Sequence, residues 1–199
     1  TRRLALTLLA AAQLVGCGEP SRPNVLLVTF DTTRADAVHL SDPAGPTPTL
    51  AALAARGLWF ERATSPVPLT LPAHASLLSG LEPLAHGARS NGVYVVDPAV
   101  ETLAERLAQA GYHTAAAIGA LPLAGRFGLN QGFARYDEGG FTQRSQAATT
   151  FPERDAEAVI RAALAEPLPE PWFLWVHFYD PHQPWITPTK PGESAYTAE

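Results

Sequence analysis

Residues 67–80 read VPLTLPAHASLLSG and place a threonine, a proline and a histidine at the start of an apolar run with helical spacing. Thr70 has two interpretations. It fits a helix cap, because a threonine oxygen readily accepts a backbone N–H at a helix start and Pro72 suits the first turn. It also fits a nucleophile, because a helix N-terminus is where an anionic ester would be bound and attacked. Other motifs in the chain are needed to distinguish a helix cap from a nucleophile.

Three more polar residues follow apolar runs that are typical of strands. Asp31 comes directly after NVLLVTF, and Asp180 and His182 come after WFLWVHFY. Ligands of parallel sheets bind outside the carboxyl ends of the strands, so these side chains and Thr70 are expected at one edge of the fold. Each residue alone also fits a turn, a cap or a structural hydrogen bond. As a set they predict a functional site.

The segments that position these residues alternate between strand and helix. NVLLVTF is a continuous apolar run, as is typical of a strand buried on both faces of a parallel sheet. Helical spacing follows in TPTLAALAARG, ETLAERLAQAG and RDAEAVIRAALAE, whereas YHTAAAIG and WFLWVHFY have strand composition. Strands that alternate with helices predict an α/β fold with a mostly parallel central sheet.

The composition fits one globular domain without a nucleic-acid partner. The 199 residues are 46% hydrophobic and 17% charged, which is enough apolar material for a sizeable core. The 14 Lys and Arg residues are dispersed and are outnumbered by 19 Asp and Glu residues, so the formal net charge is -5. A nucleic-acid surface draws on clustered cations, so no nucleic acid is expected as a partner.

Residues 1–17 are predicted to be a lipoprotein signal peptide. Two arginines precede an apolar stretch over residues 4–15, which is too short for a membrane span of about 20 residues but suits a signal-peptide core. The stretch ends LVGC, which resembles the bacterial lipobox, and Cys17 is then the lipidated residue. A buried apolar helix is the alternative. With residues 18–23 as a short tether, we expect a lipoprotein of the bacterial cell envelope, facing the periplasm or the outside and held to the membrane by its lipid anchor.

Five separated motifs resemble the N-terminal part of the sulfatase family within the alkaline phosphatase superfamily. In order they are PNVLLVTFDTTRADAVHL, PLTLPAHASLLSGLEPLAHGARSNG, ETLAERLAQAGYHTAAAIG, RFGLNQGFARYDE and FLWVHFYDPHQPW. The resemblance implies an alkaline-phosphatase-like α/β sandwich with a metal site at the strand ends. Residues 24–199 are expected to form a sulfatase-like N-terminal domain that is incomplete at its C-terminus, because the family's later Asp-His or Asp-Asn metal-ligand element does not occur before Glu199.

Carried over position by position, the family pattern makes Asp31 a metal ligand. Sulfatases usually have a second aspartate at the position of Thr32. Thr70 stands where sulfatases have the Cys or Ser that becomes formylglycine, and His74 replaces the Arg of that motif. A threonine oxidised in the same way would give a ketone. Formylglycine chemistry is therefore not expected of this chain.

The element TLPAH instead resembles the Thr-Phe-Pro-x-His element of nucleotide pyrophosphatases and phosphodiesterases, in which Thr attacks phosphorus. This resemblance implies that Thr70 is the nucleophile and shares a divalent cation with Asp31. We expect Thr70 to cap the helix as well, because the backbone N–H groups at a helix start would also stabilise negative charge next to its hydroxyl oxygen. It also implies that Asn91 binds a nonbridging oxygen of the substrate. His182 matches a substrate-side histidine of sulfatases and would donate to the leaving oxygen. His74 is assigned to substrate binding, with a structural role as the alternative.

The expected function is metal-dependent hydrolysis of sulfate or phosphate monoesters or diesters. The metal is calcium, zinc or manganese, and the sequence leaves its identity open. The substrate is a small molecule or a glycan or lipid ester. The alternative is an inactive sulfatase-like lipoprotein that binds an anionic ligand or a partner, because a catalytic metal needs about three protein ligands and Asp31 alone does not hold one.

Overall fold

The computed structural model describes residues 22–139 and 154–182. The described residues form a four-stranded sheet in which every pair of neighbouring strands is parallel. The spatial order is β1-β4-β2-β3. The predicted α/β fold with a parallel central sheet is confirmed. In chain order the strands are β1 Val25–Phe30, β2 His113–Ile118, β3 Arg135–Asp137 and β4 Trp172–Phe178.

Helices fill the connections between the strands, as the helical spacing predicts. Short 3-10 turns occur at Ala35–Ala37, Leu121–Leu123 and Gly125–Phe127. The α-helices among the described residues are α1 Pro48–Ala54, α2 Thr70–Ser79, α3 Pro83–His86, α4 Leu103–Gln109 and α5 Ala156–Ala163.

The helix boundaries follow from local capping chemistry. At the start of α4 the Thr102 hydroxyl accepts the Glu105 N–H, while the Glu105 carboxylate accepts the Thr102 N–H. This reciprocal box satisfies two backbone donors that the helix itself leaves unpaired. Helix α2 ends where Gly80 adopts a φ of 71° and donates its N–H to the Ser76 carbonyl. A left-handed residue at this point suits glycine because a Cβ would be strained there.

Two hydrophobic clusters cover the two faces of the central strands. On one face, Trp175 and Phe173 of β4 pack with Leu71 and Leu78 of α2 in the larger cluster. On the other face, α5 packs its apolar side on β2 and β4. Because both faces of these two strands are covered, their sequences are mostly apolar, and the polar residues in them are His113 and Thr114 of β2 and His177 of β4.

Strand β1 differs from the prediction of burial on both faces. It lies at the edge of the described sheet, and its side chains alternate between half-buried and exposed. Leu26 is 56% exposed, and Val28 and Phe30 lie on the same exposed face. Helix α5 packs over β2 and β4, so this face of β1 is left uncovered among the described residues.

The predicted signal peptide lies outside the described residues. Residues 1–17, with Cys17, and residues 18–21 of the tether precede them, so both assignments stay predictions. Among the described helices, none has the length and apolar character needed to cross a bilayer.

Candidate active site

The first residue of α2 contacts the aspartate that follows β1. The Thr70 hydroxyl donates to Asp31, with Oγ1 3.1 Å from Oδ2 and 3.5 Å from Oδ1. The N-cap position is Leu69, and Thr70 is already inside the helix. The expectation that Thr70 caps α2 is therefore wrong, because its side chain faces Asp31 and not the helix backbone. The contact brings the predicted nucleophile to the predicted metal ligand.

Asn91 caps the start of α2 from 20 residues further along the chain. Its Oδ1 accepts the Leu71 N–H at 2.8 Å. Because Oδ1 is engaged with a donor, the Nδ2 group is the part of this amide that can donate to an anion. The predicted substrate-binding Asn91 is thus at the same helix start as Thr70, and it also has a capping role that sequence reasoning missed.

Asp31 is held at the edge of the sheet by its own backbone. Its N–H donates to the Phe178 carbonyl at 2.9 Å, which extends the pairing of β1 with β4 by one residue. Only 5% of Asp31 is exposed. Burial raises the pKa of its carboxyl, but His177, His74 and the Thr70 hydroxyl together outweigh burial and leave the pKa below its ordinary value. The carboxylate is therefore ionised at neutral pH and accepts the Thr70 hydrogen bond.

The residue after Asp31 has an unusual backbone. Thr32 has a φ of 47°, and it is the one non-glycine residue with positive φ in the described parts of the chain. A β-branched residue in the left-handed region is strained by about 1–3 kcal/mol. Its hydroxyl donates to the Pro181 carbonyl at 3.4 Å, across to the segment that follows β4. This is the position at which the family pattern has a second aspartate.

His74 lies one turn below Thr70 and faces the interior. Its Nδ1 donates to the Thr70 carbonyl at 2.8 Å. Burial, helped by the nearby His177, lowers the pKa of His74 to about 4, although the Thr70 carbonyl and Asp31 oppose the shift. The ring is therefore neutral at pH 7 and lies 5.7 Å from the Trp175 ring between centroids. These contacts favour the structural alternative, and substrate binding by His74 stays a prediction.

Sequence reasoning missed His177 entirely. It lies on β4 opposite Thr29 of β1, it is fully buried, and its Nε2 is 3.5 Å from Asp31 Oδ2. Neither ring nitrogen has a hydrogen-bond partner among the described residues. The ring meets His74 edge to face at 4.9 Å between centroids. The available signal was a histidine inside the apolar strand WFLWVHF, where a polar side chain needs a reason to be buried.

The end of β4 is arranged differently from the end of β1. Asp180 accepts the Ala156 N–H at 3.1 Å and so helps to satisfy the start of α5. Asp180 therefore contributes to the N-terminal cap of α5. The His182 ring stacks on Tyr179 at 4.4 Å, and the His182 N–H donates to the Tyr179 carbonyl at 2.8 Å. Proton donation by His182 to a leaving group stays a prediction.

His86 is part of the core and not of the site. Its Nδ1 accepts the Ala88 N–H at 3.2 Å, so its Nε2 carries the proton and donates to the Ser76 hydroxyl at 3.0 Å. The side chain is fully buried. His86 therefore connects the segment after α3 to α2 and has a structural role.

Asp31 and Thr70 fit part of a divalent cation site. A carboxylate and a hydroxyl within hydrogen-bond distance of each other are hard oxygen donors, which suit calcium or manganese and are also used by zinc. Within residues 22–139 and 154–182, no group of three or more His, Cys, Asp or Glu side chains is arranged to hold a metal. The described residues thus supply one side of such a site.

A cleft of about 500 Å³ lies beside the site and not on it. It shares the inward-facing His74 with the cluster, but neither Thr70 nor Asp31 lines it. The candidate site is therefore defined by contacts among polar side chains and not by this cleft. The cleft is lined by Thr29, Phe30, Thr64, Ser65, Pro66, Ala73, His74, Ser76, Leu77, Gly80, Leu81 and Glu82.

Comparisons with known proteins identify the family and the fold. The family model described as Sulfatase matches residues 23–198. An ulvan-active sulfatase of Formosa agariphila is 37% identical over 99 residues, which are 49% of this chain and 19% of that protein. An N-acetylgalactosamine-6-sulfatase of Rattus norvegicus is 34% identical over 87 residues, which are 43% of this chain and 17% of that protein. The chain thus matches less than a fifth of the length of these relatives.

Solved structures show the same fold. A phosphonate monoester hydrolase of Agrobacterium radiobacter superimposes with a TM-score of 0.64 at 24% identity, over 84% of this chain and 43% of that chain. A protein of the alkaline phosphatase superfamily from Vibrio parahaemolyticus does so with a TM-score of 0.59 at 19% identity, over 90% of this chain and 45% of that chain. The alkaline-phosphatase-like fold is confirmed, and the chain spans less than half of either structure.

Proposed function

Because the chain belongs to the sulfatase family, we propose that it takes part in hydrolysis of sulfate or phosphate esters with Thr70 as the nucleophile. The observation that carries the proposal is the hydrogen bond from Thr70 to the buried Asp31 carboxylate at the start of α2. A nucleophile of this kind needs an activating neighbour and a place for the anion beside it.

Three features would act on an ester placed at the start of α2. Asp31 fixes the direction of the Thr70 hydroxyl, so that its lone pairs are oriented for attack on sulfur or phosphorus. The N-terminal end of the ten-residue helix α2 has positive electrostatic character, which attracts the ester oxygens. The Nδ2 group of Asn91 is a donor at the same helix end. These groups would stabilise negative charge that develops on the transferred group.

Asp31 has too low a pKa to serve as an effective base towards an alcohol. Asp31 and Thr70 would hold a divalent cation, which when bound lowers the pKa of the hydroxyl and offsets charge on the ester. Calcium, zinc and manganese all stay candidates. With Thr32 in place of a second carboxylate, the chain offers one fewer anionic ligand than the family pattern.

Thr70 favours phosphorus over sulfur as the reacting centre. Without a formylglycine, the ester is attacked by the threonine oxygen itself, as the likeness of TLPAH to the phosphodiesterase element implies. The Thr70 hydroxyl, with its pKa lowered, would lose its proton to solvent, and the Oγ1–phosphorus bond would form as the bond to the leaving alcohol breaks. The alcohol takes up a proton. Water then cleaves the threonine ester, which releases phosphate and returns a proton to Thr70 Oγ1. His182 is our candidate for donating the proton to the leaving alcohol. The substrate would be a small-molecule, glycan or lipid ester.

The alternative function is binding of an anionic ligand without turnover. It is favoured by the lack of a three-ligand metal group among the residues that the structure describes. A screen of the whole protein against aryl phosphate, bis-aryl phosphate and aryl sulfate, each with calcium, zinc and manganese added after chelation, separates the two. We expect turnover of at least one phosphate ester and loss of turnover on chelation. Binding of inorganic phosphate without turnover of any ester would favour the alternative.

We also propose that the protein is exported and anchored by lipid on Cys17, in the bacterial cell envelope. The support is the pair of arginines, the short apolar core and the LVGC sequence. Stable anchoring needs more than one acyl chain, which a lipoprotein carries. Cys17→Ser should abolish processing and move the protein out of the membrane fraction, whereas Ser21→Ala in the tether should change neither. An unchanged membrane fraction for Cys17→Ser would contradict the anchor.

A further inference from the structure

His177 is buried at a cost that its packing does not explain. The side chain is fully buried, and both ring nitrogens are without a hydrogen-bond partner among the described residues. A buried polar group left unpaired costs stability, and an apolar group of similar shape in its place is neutral or stabilising. A leucine would fill this position on β4 as its apolar neighbours do. The histidine therefore calls for a role other than stability.

The surroundings of His177 form a closed ring of interactions around Thr70. On one side, His177 Nε2 faces Asp31 Oδ2 at 3.5 Å, and Asp31 accepts the Thr70 hydroxyl. On the other side, the His177 ring packs edge to face on His74, which donates to the Thr70 carbonyl. The imidazole thus lies beneath both the hydroxyl and the backbone of the candidate nucleophile.

The separation between Nε2 and Oδ2 is slightly longer than an ordinary hydrogen bond. A small rotation of the carboxylate brings the two atoms into range. Trp175, on the same face of β4, lies 6.4 Å away between ring centroids and helps to keep the imidazole next to Asp31.

We propose that His177 is a positioning residue that holds the Asp31 carboxylate towards Thr70 through its Nε2–H. The proposal rests on the proposed function, since it gives His177 a role in aligning the nucleophile and its cation ligand. His177 does not touch the substrate. Residues that orient a metal ligand from behind typically change metal affinity or activity by about 10- to 100-fold when they are replaced.

Three substitutions separate positioning from packing. His177→Gln places an amide nitrogen near the position of Nε2, His177→Asn places one near Nδ1, and His177→Leu removes the polar group. We expect the Gln variant to stay close to wild type in kcat, and the Asn and Leu variants to lose about 10- to 100-fold in kcat with little change in KM. The Leu variant should melt at or above the wild-type temperature. A role in packing alone predicts that melting temperature changes and kcat does not.

The Gln–Asn pair is the matched control, because both variants bury one amide and differ only in its reach. Equal kcat values for Gln and Asn, or wild-type kcat in the Leu variant, would overturn the proposal. If the Leu variant does not fold, the comparison of Gln with Asn decides alone.

A second measurement is independent of turnover. Crystal structures of the wild type and of the Asn variant should show that Asp31 Oδ2, 3.1 Å from Thr70 Oγ1 in the wild type, turns beyond hydrogen-bond distance in the variant. Calorimetry should show weaker Mn²⁺ binding by the variant. A hydrogen bond between Thr70 and Asp31 that persists in the variant overturns the role of His177 whatever the activity. A wild type that hydrolyses no ester, while this hydrogen bond depends on His177, refutes the proposed function and leaves the positioning role standing.

Discussion

Two aspartates follow neighbouring parallel strands at the same edge of the sheet, yet they bind different parts of the molecule. Asp31, after β1, is almost fully buried and accepts the hydroxyl of Thr70. Asp180, after β4, is exposed and accepts the first backbone N–H of α5. The sequence context of both is an apolar strand followed by an acid. What differs is the partner on the adjacent helix, which is a side chain of α2 for Asp31 and a backbone N–H of α5 for Asp180.

The proposed mechanism depends on this difference between the two strand ends. A carboxylate that accepts a backbone N–H at a helix start has a structural role. A carboxylate that accepts the hydroxyl of a side chain has a partner that can act as a nucleophile. At the end of β1, the buried imidazole of His177 lies next to Asp31 and packs on the imidazole of His74.

The largest effect is expected from removing the partner of Asp31. Thr70→Ala should lower the rate of ester hydrolysis on the order of 10³-fold or more, because the nucleophile is lost. It should leave the melting temperature nearly unchanged, since Asn91 and not Thr70 caps α2. Thr70→Ser should retain part of the activity, and Thr33→Ala is the control for a threonine near Asp31. Turnover by the Ala variant at a comparable rate would refute the mechanism.

Exchanging each aspartate for asparagine tests the contrast directly. Asp31→Asn should reduce hydrolysis by about 10²- to 10³-fold and lower the metal content after dialysis, because the site loses its charge. Asp180→Asn should keep hydrolysis near wild type and destabilise the protein by less than about 1 kcal/mol, the range of a helix-terminus charge. Hydrolysis rates, metal analysis and thermal melts measure the pair. Matching losses of activity would show that the two ends are not different in kind.

Asn91 is expected to combine a structural role, capping of α2, with a role in binding the substrate. Asn91→Ala should destabilise the protein by about 1 kcal/mol, since the Leu71 N–H loses its acceptor. It should also lower kcat by about 10²-fold if Nδ2 donates to the substrate. Asn91→Asp keeps the acceptor and removes the donor, so it should restore stability but not activity. An Asp variant with wild-type kcat would limit Asn91 to capping.

Lowering the pH should reduce the free energy of unfolding through protonation of His74. The pKa of His74 is lowered to about 4 by burial, so the folded state holds the neutral ring while the unfolded chain takes up a proton near pH 6.5. Stability from this residue is fully present above pH 6.5 and is lost as the pH falls towards 4, by roughly 3 kcal/mol. Urea melts from pH 7 to pH 4 should show a steeper decline for wild type than for His74→Asn, which keeps a donor for the Thr70 carbonyl. Equal slopes would contradict this assignment.

The smallest effect is expected from relaxing the backbone next to Asp31. Thr32→Asn should stabilise the protein by roughly 1 kcal/mol, because asparagine tolerates the left-handed conformation that Thr32 adopts. Thr33→Asn, at a residue without positive φ, serves as the comparison. Urea unfolding measures both, and a Thr32→Asn variant that is less stable than wild type would show that the Thr32–Pro181 hydrogen bond outweighs the strain.

Sequence patterns were sufficient for β1, β2 and β4, for α1, α2, α4 and α5, and for the meeting of Asp31 with Thr70, but not for the short elements β3 and α3. Those features depend on local periodicity and on the rule that parallel strands end at one edge. The cap supplied by Asn91 could not be predicted from local patterns, because it joins residues that are 20 positions apart in the sequence. Thr70 was wrongly expected to cap α2, because its motif does not show that a carboxylate from another strand is within reach.

His177 and the open face of β1 were missed for a related reason. The role of a histidine in an apolar strand can be inferred only when its neighbour on the adjacent strand is known, and for His177 that strand is β1. The apolar composition of β1 correctly predicted a strand, but the extent of its cover depends on where α5 packs. Composition specifies the element, whereas long-range packing decides which of its faces is buried.

The pairing of β1 with β4 also determines when the site can form during folding. Thr29 of β1 and Trp175 of β4 are hydrogen-bonded across 146 positions of sequence, which is among the longest separations bridged by a hydrogen bond within the described residues. Closing such a loop is slow relative to local helix formation, and synthesis delivers β1 well before β4. The contacts of Asp31 with Phe178 and His177 can therefore form only after nearly all of the described chain has been synthesised. Helices α1 to α4 can form earlier, so the candidate active site is assembled in a late step of folding.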